Sequence, residues 1–543
     1  MFLNNNNNNN NNNMSENILN LFIEKGFILD KEVLNFLSEL NDEEITNEIL
    51  NKIAIFSDKR IITKNLIDNN IEKIKPALFD LKEEKKKLVN KYFVNISISL
   101  EVKKEISINT DENINKKISN LGAIKIISSP LIKSKKLEVK DFIKHFKSRY
   151  NFIKKILQNN ANLNNLISID KITGNEEFSI IGMVNDKSFT KNKNIILEVE
   201  DVTGSAKLLI NQNKEEIYKK AKNIILDDII GFKCSGTKNF LYVKDFLYPD
   251  CYISEKKRLK ENIYALFISD IHVGSNNFLE KNFLNFISWI NKMEHERKEI
   301  FGKIKYLFVV GDTVEGVGVY PGQEKELIIK DIKKQYEKLA EFYSMIPKHI
   351  QIIQCAGQHD GVRVPEPQPP VGKDFGESLH KLPNVHLVSN PSLVEIKTEK
   401  DENGIKVLMY HGASMHGVIS EIEELRFSNA HSFPSKVIKH LLLRRHLAPI
   451  HGLTSYIPGD EDSMIIKEVP DIITTGDLHK TDISSYNNIL IIANSCWQSM
   501  TAFEEKVGNT PDPCKVPILN LKTREIKILD FSSNTDNVTE LVI

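Results

Sequence analysis

The sequence predicts a multidomain α/β protein. Three observations carry that reading: a length of 543 residues, a run of short alternating strands over residues 166–250, and a repeated strand, loop, helix order after Glu261. A chain this long exceeds one ordinary core and implies two to four domains of roughly 100 to 200 residues each.

Composition narrows the class. Lys plus Arg and Asp plus Glu both total 73, giving a net charge of zero, so global charge does not announce a nucleic-acid partner and any such contact must be local. The first third is basic, with runs such as Glu83 to Lys87, and the last third carries acidic runs at Glu421 to Glu424 and Asp460 to Asp462; such runs are usually solvated faces. Five cysteines (Cys234, Cys251, Cys355, Cys496, Cys514) lie far apart without a Cys-x-x-Cys pair, which predicts neither a disulfide framework nor a structural zinc. No apolar run reaches the roughly 18 residues that span a bilayer, and the N-terminus lacks signal-peptide order. The expectation is a soluble, cytoplasmic protein without a membrane partner.

Along the chain, the poly-Asn stretch within residues 1–13 has nothing to bury and is predicted to be disordered. Residues 14–71 place Ile18, Leu21 and Phe22, then Val33, Phe36, Leu37 and Leu40, then Ile45, Ile49, Leu50 and Ile53 at helical spacing, predicting a small helical N-terminal domain. Residues 72–165 are rich in Lys, Ile and Asn, with one helix expected around Phe142 to Leu157; they read as a basic connector. Over residues 166–250, alternating runs at Phe178 to Val184 and Ile195 to Asp201, a turn at Asp201-Val-Thr-Gly204, and further runs at Ala206, Ile229 and Phe240 give five short strands. This count suits a small closed barrel compatible with an OB-fold. Without a row of exposed aromatics, strand binding and protein docking are equally good readings of it.

Residues 260–543 form the α/β domain. Ile263 to Ser269, Tyr306 to Val310, Ile350 to Gln354, Val385 to Val388, Val407 to Tyr410, Ile472 to Thr475 and Ile489 to Ala493 are short apolar runs that end in polar clusters. Ligands gather where the strands of an α/β sheet end. Five of these ends carry metal-ligand types: Asp270 and His272; Asp312; Gln358, His359 and Asp360; His411; Asp477 and His479. One such residue after a strand is usually a cap or a surface group. Five clusters in succession point instead to two divalent ions, which need a bridging carboxylate, further oxygen and imidazole ligands, and a free histidine for phosphoester chemistry.

The series Asp-x-His, Gly-Asp, Gly-Gln-His-Asp, His and Gly-Asp-x-His resembles the signature of calcineurin-like metallophosphoesterases. More narrowly, Gly357-Gln-His-Asp-Gly-Val-Arg363 followed by Glu366-Pro-Gln-Pro-Pro370, with Asn494-Ser-Cys-Trp-Gln498 and the upstream barrel, resembles the small subunits of archaeal family-D DNA polymerases. The resemblance implies an αββα two-sheet sandwich beside the OB barrel and a manganese-dependent 3′→5′ exonuclease, with magnesium as the alternative ion. It also implies a large catalytic subunit as partner in a heterodimer or higher assembly, DNA as substrate, and contacts with other replication factors. By matched position, Asp270, His272, Asp312 and His479 hold one ion, and Asp312 bridges to a second held by Gln358, His411 and Asp477. His359 is the uncoordinated catalytic histidine, positioned by Asp360.

Two residues depart from the pattern. Gln358 stands in place of Asn and Asp477 in place of His, each keeping a donor atom, and the carboxylate favours Mn²⁺ or Mg²⁺ over softer ions. Arg363 either grips a phosphate bidentately or pairs with Glu366, and Trp497 is expected to pack in the core rather than stack on a base. The competing functions are a catalytically silent scaffold and a free-standing phosphoesterase. The persistence of ligand types at all five loops disfavours the first, and the barrel and proline segment disfavour the second.

Overall fold

Alternation of apolar and polar residues closes the barrel. The computed structural model describes residues 123–132, 136–174, 177–237, 239–296, 301–533 and 539–542, with 18, 22–23, 27–30, 33–34, 37–38, 46–47 and 61–62. The chain divides into two compact units, residues 1–117 and residues 118–543. In the first, Ile18, Phe22, Val33 and Leu37 are helical and buried, and Ile28–Leu29 pairs in parallel with Ile61–Ile62, a pairing the helical reading did not include. The poly-Asn stretch and most of residues 14–71 lie outside the described residues.

The second unit begins with strand β1 (Ala123–Ser128) and helix α1 (Val139–Gln158). Both fall in the stretch read as a connector: β1 corrects that reading, as an edge strand of a larger sheet, and α1 contains the helix expected around Phe142 to Leu157, with Tyr150, Ile153 and Leu157 packed against Ile181 and Ile229 of the barrel. The barrel follows with β2 (Glu177–Phe189), β3 (Ile195–Asp201), β4 (Gly204–Ile210), helix α2 (Glu215–Ala221), β5 (Ile229–Thr237) and β6 (Phe240–Leu247). Its order is β2-β3-β4-β6-β5, closed, with β4 and β6 parallel. Phe178, Ile180, Leu197, Val199, Leu208, Phe232, Leu241 and Val243 alternate inward to fill it, as a period of two requires. The β3–β4 turn is held by Asp201, whose Oδ1 accepts from the Thr203 and Gly204 amides at 2.7 and 3.0 Å.

The remaining elements are β7 (Tyr264–Ile268), α3 (Glu280–Glu296), β8 (Ile304–Val310), α4 (Ile332–Ser344), β9 (Gln351–Cys355), α5 (Lys373–His380), β10 (Val385–Leu387), β11 (Ser392–Lys397) and β12 (Ile405–Met409). They continue with α6 (Met415–Glu421), α7 (Glu423–Phe427), α8 (Ser435–Arg444), β13 (Ile472–Thr475), β14 (Asp482–Tyr486), β15 (Ile489–Ala493), α9 (Ala502–Val507), β16 (Lys515–Asn520), β17 (Ile526–Asp530) and β18 (Thr539–Val542). Two mixed sheets result, one in the order β10-β9-β8-β7-β16-β17-β18 and the other in the order β14-β15-β13-β12-β11-β1.

Burial on both faces explains the near-continuous apolar runs of the parallel strands. Ala265, Phe267, Phe308 and Ile353 of one sheet share a core with Val394, Val407, Ile472 and Ile492 of the other, and the Phe267 and Phe308 rings stack 5.1 Å apart. On its other face the first sheet packs Leu266, Ile268, Leu307 and Val309 against Phe283, Phe286, Tyr336 and Leu379 of α3, α4 and α5. Leu408, Ile473 and Ile491 of the second pack against Val418, Leu425, Ile438 and Leu441 of α6, α7 and α8. Trp497 lies 1 % exposed in the first of these helix-side cores, against Phe283, Phe286 and Phe531, as expected.

Helix α1 ties the barrel to the sheets. Tyr150 Oη donates to the Ile181 carbonyl of β2 at 2.9 Å, and Arg149 Nε meets Asp462 at 2.6 Å in a pocket that also holds His145 and His446. A second buried pair, Arg444 Nε with Asp228 at 2.8 Å, fixes α8 to the segment entering β5. All five cysteines are free and buried. Among the described residues no helix is long and apolar enough to cross a membrane.

Candidate metal centre

Strand direction brings the predicted ligands together. Strands β7, β8 and β9 run parallel in one sheet and β12 and β13 in the other, so their carboxyl ends deliver Asp270 and His272, Asp312, Gln358 and His359, His411, and Asp477 and His479 to one region. The loops are stitched to one another: the amides of Asp270 and His272 donate to the carbonyls of Gly311 and Asp312, each at 3.0 Å, and Gly476 donates to His411 at 2.8 Å.

The backbone there is unusual. Asp270, His272, Asp312, Asp477 and His479 all have positive φ, between 46° and 69°. Side-chain-bearing residues adopt this region at a cost of about 1 to 3 kcal/mol each, and they hold it only where the surroundings impose it. Glycines complete the packing at two positions. A Cβ on Gly311, itself at φ 78°, would overlap His411 Nδ1, and one on Gly357 would overlap Asp312 Oδ1.

Distances within the group fit metal ligation. Asp270, His272 and His479 offer ligand atoms within 4.8 Å of one another, as do Asp270, Asp312 and His411, and also His272, Asp312 and His359. His411 Nε2 is 3.2 Å from Asp312 Oδ2, 3.9 Å from Asp270 Oδ1 and 4.0 Å from Asp477 Oδ1, and His479 Nε2 is 3.4 Å from Asp270 Oδ1. Gln358 Nε2 donates to Asp477 Oδ1 at 2.8 Å.

The histidines are aimed by partners the sequence reading did not name. His272 Nδ1 donates to Glu315 Oε2 at 2.9 Å, His479 Nδ1 to Glu504 Oε1 at 2.8 Å, and His411 Nδ1 to the Val310 carbonyl at 2.7 Å. With Nδ1 engaged as the donor, Nε2 is the nitrogen left to face a cation, which would take the lone pair there in place of a proton, the arrangement usual for metal-ligating histidine. His359 Nδ1 is likewise tied to the Glu315 carbonyl at 2.9 Å, and its side chain is 22 % exposed. Gln498 supports the set by donating to Glu315 Oε2 at 2.9 Å and to Ser275 Oγ at 2.8 Å. Glu504 had a visible local signal, the Thr501-x-x-Glu504 capping box that starts α9; its second bond to His479 had none.

The electrostatics follow from this crowding. Burial opposes a charged His411, but Asp312, Asp270 and Asp477 outweigh it and hold the imidazole well above the usual histidine range. Burial also opposes a charged Asp312, yet His411 and His359 hold its carboxyl far below the usual range. Burial, with Asp312 nearby, pushes Asp360 up. The decisive fit is in the buried atoms without hydrogen-bond partners, which include His272 Nε2, His411 Nε2, Gln358 Oε1 and Asp477 Oδ2. Four such atoms at one site would each cost free energy unless a cation satisfied them.

Two expected roles are corrected. Asp360, expected to position His359, spends its carboxylate on Thr313 Oγ1 at 2.6 Å, Tyr336 Oη at 3.1 Å and the Gly357 amide at 2.9 Å. It fixes the loops, while the Glu315 carbonyl holds the His359 ring. Arg363 does not pair with Glu366: its Nε and Nη2 donate to the Pro367 carbonyl at 3.2 and 2.7 Å, and Nη1 donates to the Ile132 carbonyl at 2.6 Å. Its donors clamp the proline segment to the residues after β1. Glu366 lies fully buried behind the site, with Tyr410 Oη and Asn390 Nδ2 on its carboxylate at 3.3 and 3.4 Å.

A cavity of about 970 Å³ opens onto these groups; His272, Asp312, Glu315, Gln358, His359, Asp477 and His479 line it with Tyr320, His416 and His431.

A family model describing the B-subunits of DNA polymerases alpha and epsilon matches residues 265–483, which hold every ligand residue described above. The chain is 35 % identical to the DNA polymerase II small subunit of Methanothermobacter thermautotrophicus over 73 % of this chain and 80 % of the relative. It is 32 % identical to the protein of the same name from Archaeoglobus fulgidus over 92 % and 94 %. The chain belongs to the DNA polymerase II small-subunit family. Against the Pyrococcus abyssi member, at 37 % identity, the match covers 71 % of this chain and 62 % of the relative, so it spans less than two thirds of that protein. Among solved structures, one titled a novel archaeal phosphodiesterase overlaps 52 % of this chain and all of its own length at 12 % identity and a TM-score of 0.23.

Proposed function

We propose that the chain acts as the small subunit of a two-subunit archaeal replicative DNA polymerase and carries a two-metal, manganese-dependent 3′→5′ exodeoxyribonuclease site. The reading treats the two facing sheets with their outer helices as an αββα phosphoesterase sandwich, and the closed barrel as an OB-fold. One observation carries it: three histidines, each anchored through Nδ1, turn their Nε2 atoms into the group formed by Asp270, Asp312 and Asp477. In this reading a large catalytic subunit performs synthesis and the present chain removes misincorporated ends.

Asp270, His272, Asp312 and His479 would hold one divalent cation, and Asp312, Gln358, His411 and Asp477 the second. Such a pair would supply an activated water and neutralise phosphate charge. The oxygen donors of Gln358 and Asp477 favour Mn²⁺ or Mg²⁺. His359 lines the cavity with Nδ1 fixed on the Glu315 carbonyl, so its Nε2 meets the scissile phosphate and passes a proton to the departing 3′ oxygen. Glu315 and Glu504 keep the ligating rings in the required tautomer, and Asp360 keeps the Asp312 and Gln358 loops in register.

Hydrolysis of bis-(p-nitrophenyl) phosphate by the purified chain with Mn²⁺ tests the site. Turnover that disappears with EDTA and in Asp312→Ala is expected; no turnover by a chain that binds Mn²⁺ overturns the phosphodiesterase reading.

A further inference from the structure

The segment after α7 forms one wall of the cavity, with Asn429, His431 and Ser432 lining it and His431 against His416 at a centroid distance of 5.4 Å. Two large rings bracket this wall and face solvent: Phe427 is 82 % exposed and Phe433 49 %. Single exposed apolar residues need no explanation, but two exposed aromatics on either side of a segment that lines the cavity offer surface that a ligand can cover. Their own segment is cationic: no Asp or Glu occurs in sequence between Glu424 and Asp460, whereas Arg426, Lys436 and Lys439 do. One carboxylate reaches it from β14, where Asp482 Oδ2 accepts from the Ser435 amide at 2.8 Å, and Arg426 Nη1 and Lys436 Nζ each donate to one carbonyl, those of Ser420 and Ser428, with further N–H groups left for a ligand. Lys436 Nζ lies 4.7 Å from the Phe433 ring centroid. The adjoining acids turn away toward the barrel, Glu423 to Lys222 at 3.7 Å and Glu424 to Asn223.

The cavity has the opposite character. Apart from histidine, its ionisable lining comprises the carboxylates Asp312, Glu315, Glu326, Asp477 and Glu504 and the phenol of Tyr320, with neither Lys nor Arg. The proposed cations would offset this charge for the scissile phosphate alone, so phosphates that flank it find basic groups at the rim rather than inside. A polyanion with flat apolar groups at each repeat matches an aromatic and basic rim of this kind.

We propose that residues 426–436 are a docking platform for single-stranded DNA, with Phe427 and Phe433 stacking on bases that precede the scissile phosphate and Arg426 and Lys436 meeting the backbone. The platform rests on the phosphodiesterase reading of the adjacent site and adds the surface on which the strand leading to it lies.

The test uses the full chain, a 5′-fluorescein oligo-dT and fluorescence anisotropy. Phe427→Ala with Phe433→Ala raises the Kd about 5- to 100-fold, as expected for lost base stacking, and Phe427→Trp with Phe433→Trp restores it. The ratio of kcat/KM for bis-(p-nitrophenyl) phosphate to kcat/KM for the oligonucleotide rises by a similar factor in the alanine protein. A Kd and a ratio within twofold of the parent's, or a tryptophan protein as weak as the alanine protein, overturn the platform. If the parent fails to hydrolyse the small diester, the site reading has failed, and the anisotropy still decides whether the rim binds single strands.

Discussion

His272 Nδ1 and Glu315 Oε2 lie 2.9 Å apart, and the main-chain carbonyl of the same glutamate receives His359 Nδ1, also at 2.9 Å. One residue thus sets the ring of a proposed metal ligand with its side chain and the ring of the proposed catalytic histidine with its backbone. Substituting the side chain separates the two. Glu315→Gln keeps the backbone and the shape, so Mn²⁺ affinity, read by calorimetry, falls about 10- to 100-fold as for other partners of metal-ligating histidines. The chemical step in the metal-saturated protein changes far less.

His359→Ala gives the complementary result. Its side chain is held by the Glu315 carbonyl and takes no ligand role in the proposed pair, so Mn²⁺ still binds while kcat falls about 10²- to 10⁴-fold. Asp312→Ala removes the carboxylate that the two proposed ion sites would share, and calorimetry should show loss of both together with activity.

Glu366 predicts a pH dependence. Burial pushes its carboxyl from 4.5 up to about 8. The folded protein therefore keeps a proton that the unfolded chain releases. The associated stability is complete below the unfolded value and is lost as pH rises through about 8. At roughly 1.4 kcal/mol per pH unit, the metal-free parent loses about 2 to 3 kcal/mol between pH 6 and pH 8.5. Glu366→Gln should flatten that slope in urea titrations performed with EDTA.

The seven apolar runs read from the sequence correspond to β7, β8, β9, β10, β12, β13 and β15, because strands buried on both faces, like the one carrying Phe267 and Ile268, write an unbroken hydrophobic signal. Two strands escaped for different reasons. Ala123–Ser128, at a sheet edge, is largely exposed and sits among lysines, so it read as connector, whereas Lys515–Asn520 is interior and buried but is interrupted by Pro517. At the site, ligand types were legible because each closely follows a strand. The positive φ at five of them, the Glu315 bond to His272, and the Arg363 bond to Ile132 across 231 residues depend on tertiary contacts that leave no local pattern.

The α1 dock rests on Arg149 and Asp462, each no more than 4 % exposed and 2.6 Å apart. Asp462→Ala leaves the guanidinium buried without its counter-ion, a change that typically costs about 3 to 5 kcal/mol. Arg149→Met combined with Asp462→Leu should cost much less, and denaturant titration of the two proteins makes the comparison.

The central claim is tested most directly by following a 5′-labelled single-stranded DNA with the purified chain and Mn²⁺, beside Asp312→Ala. The account predicts a ladder that shortens progressively from the 3′ end and is absent with the substituted protein. A strand that stays intact in the presence of bound Mn²⁺ and the large subunit, or a ladder equally strong with Asp312→Ala, would contradict it.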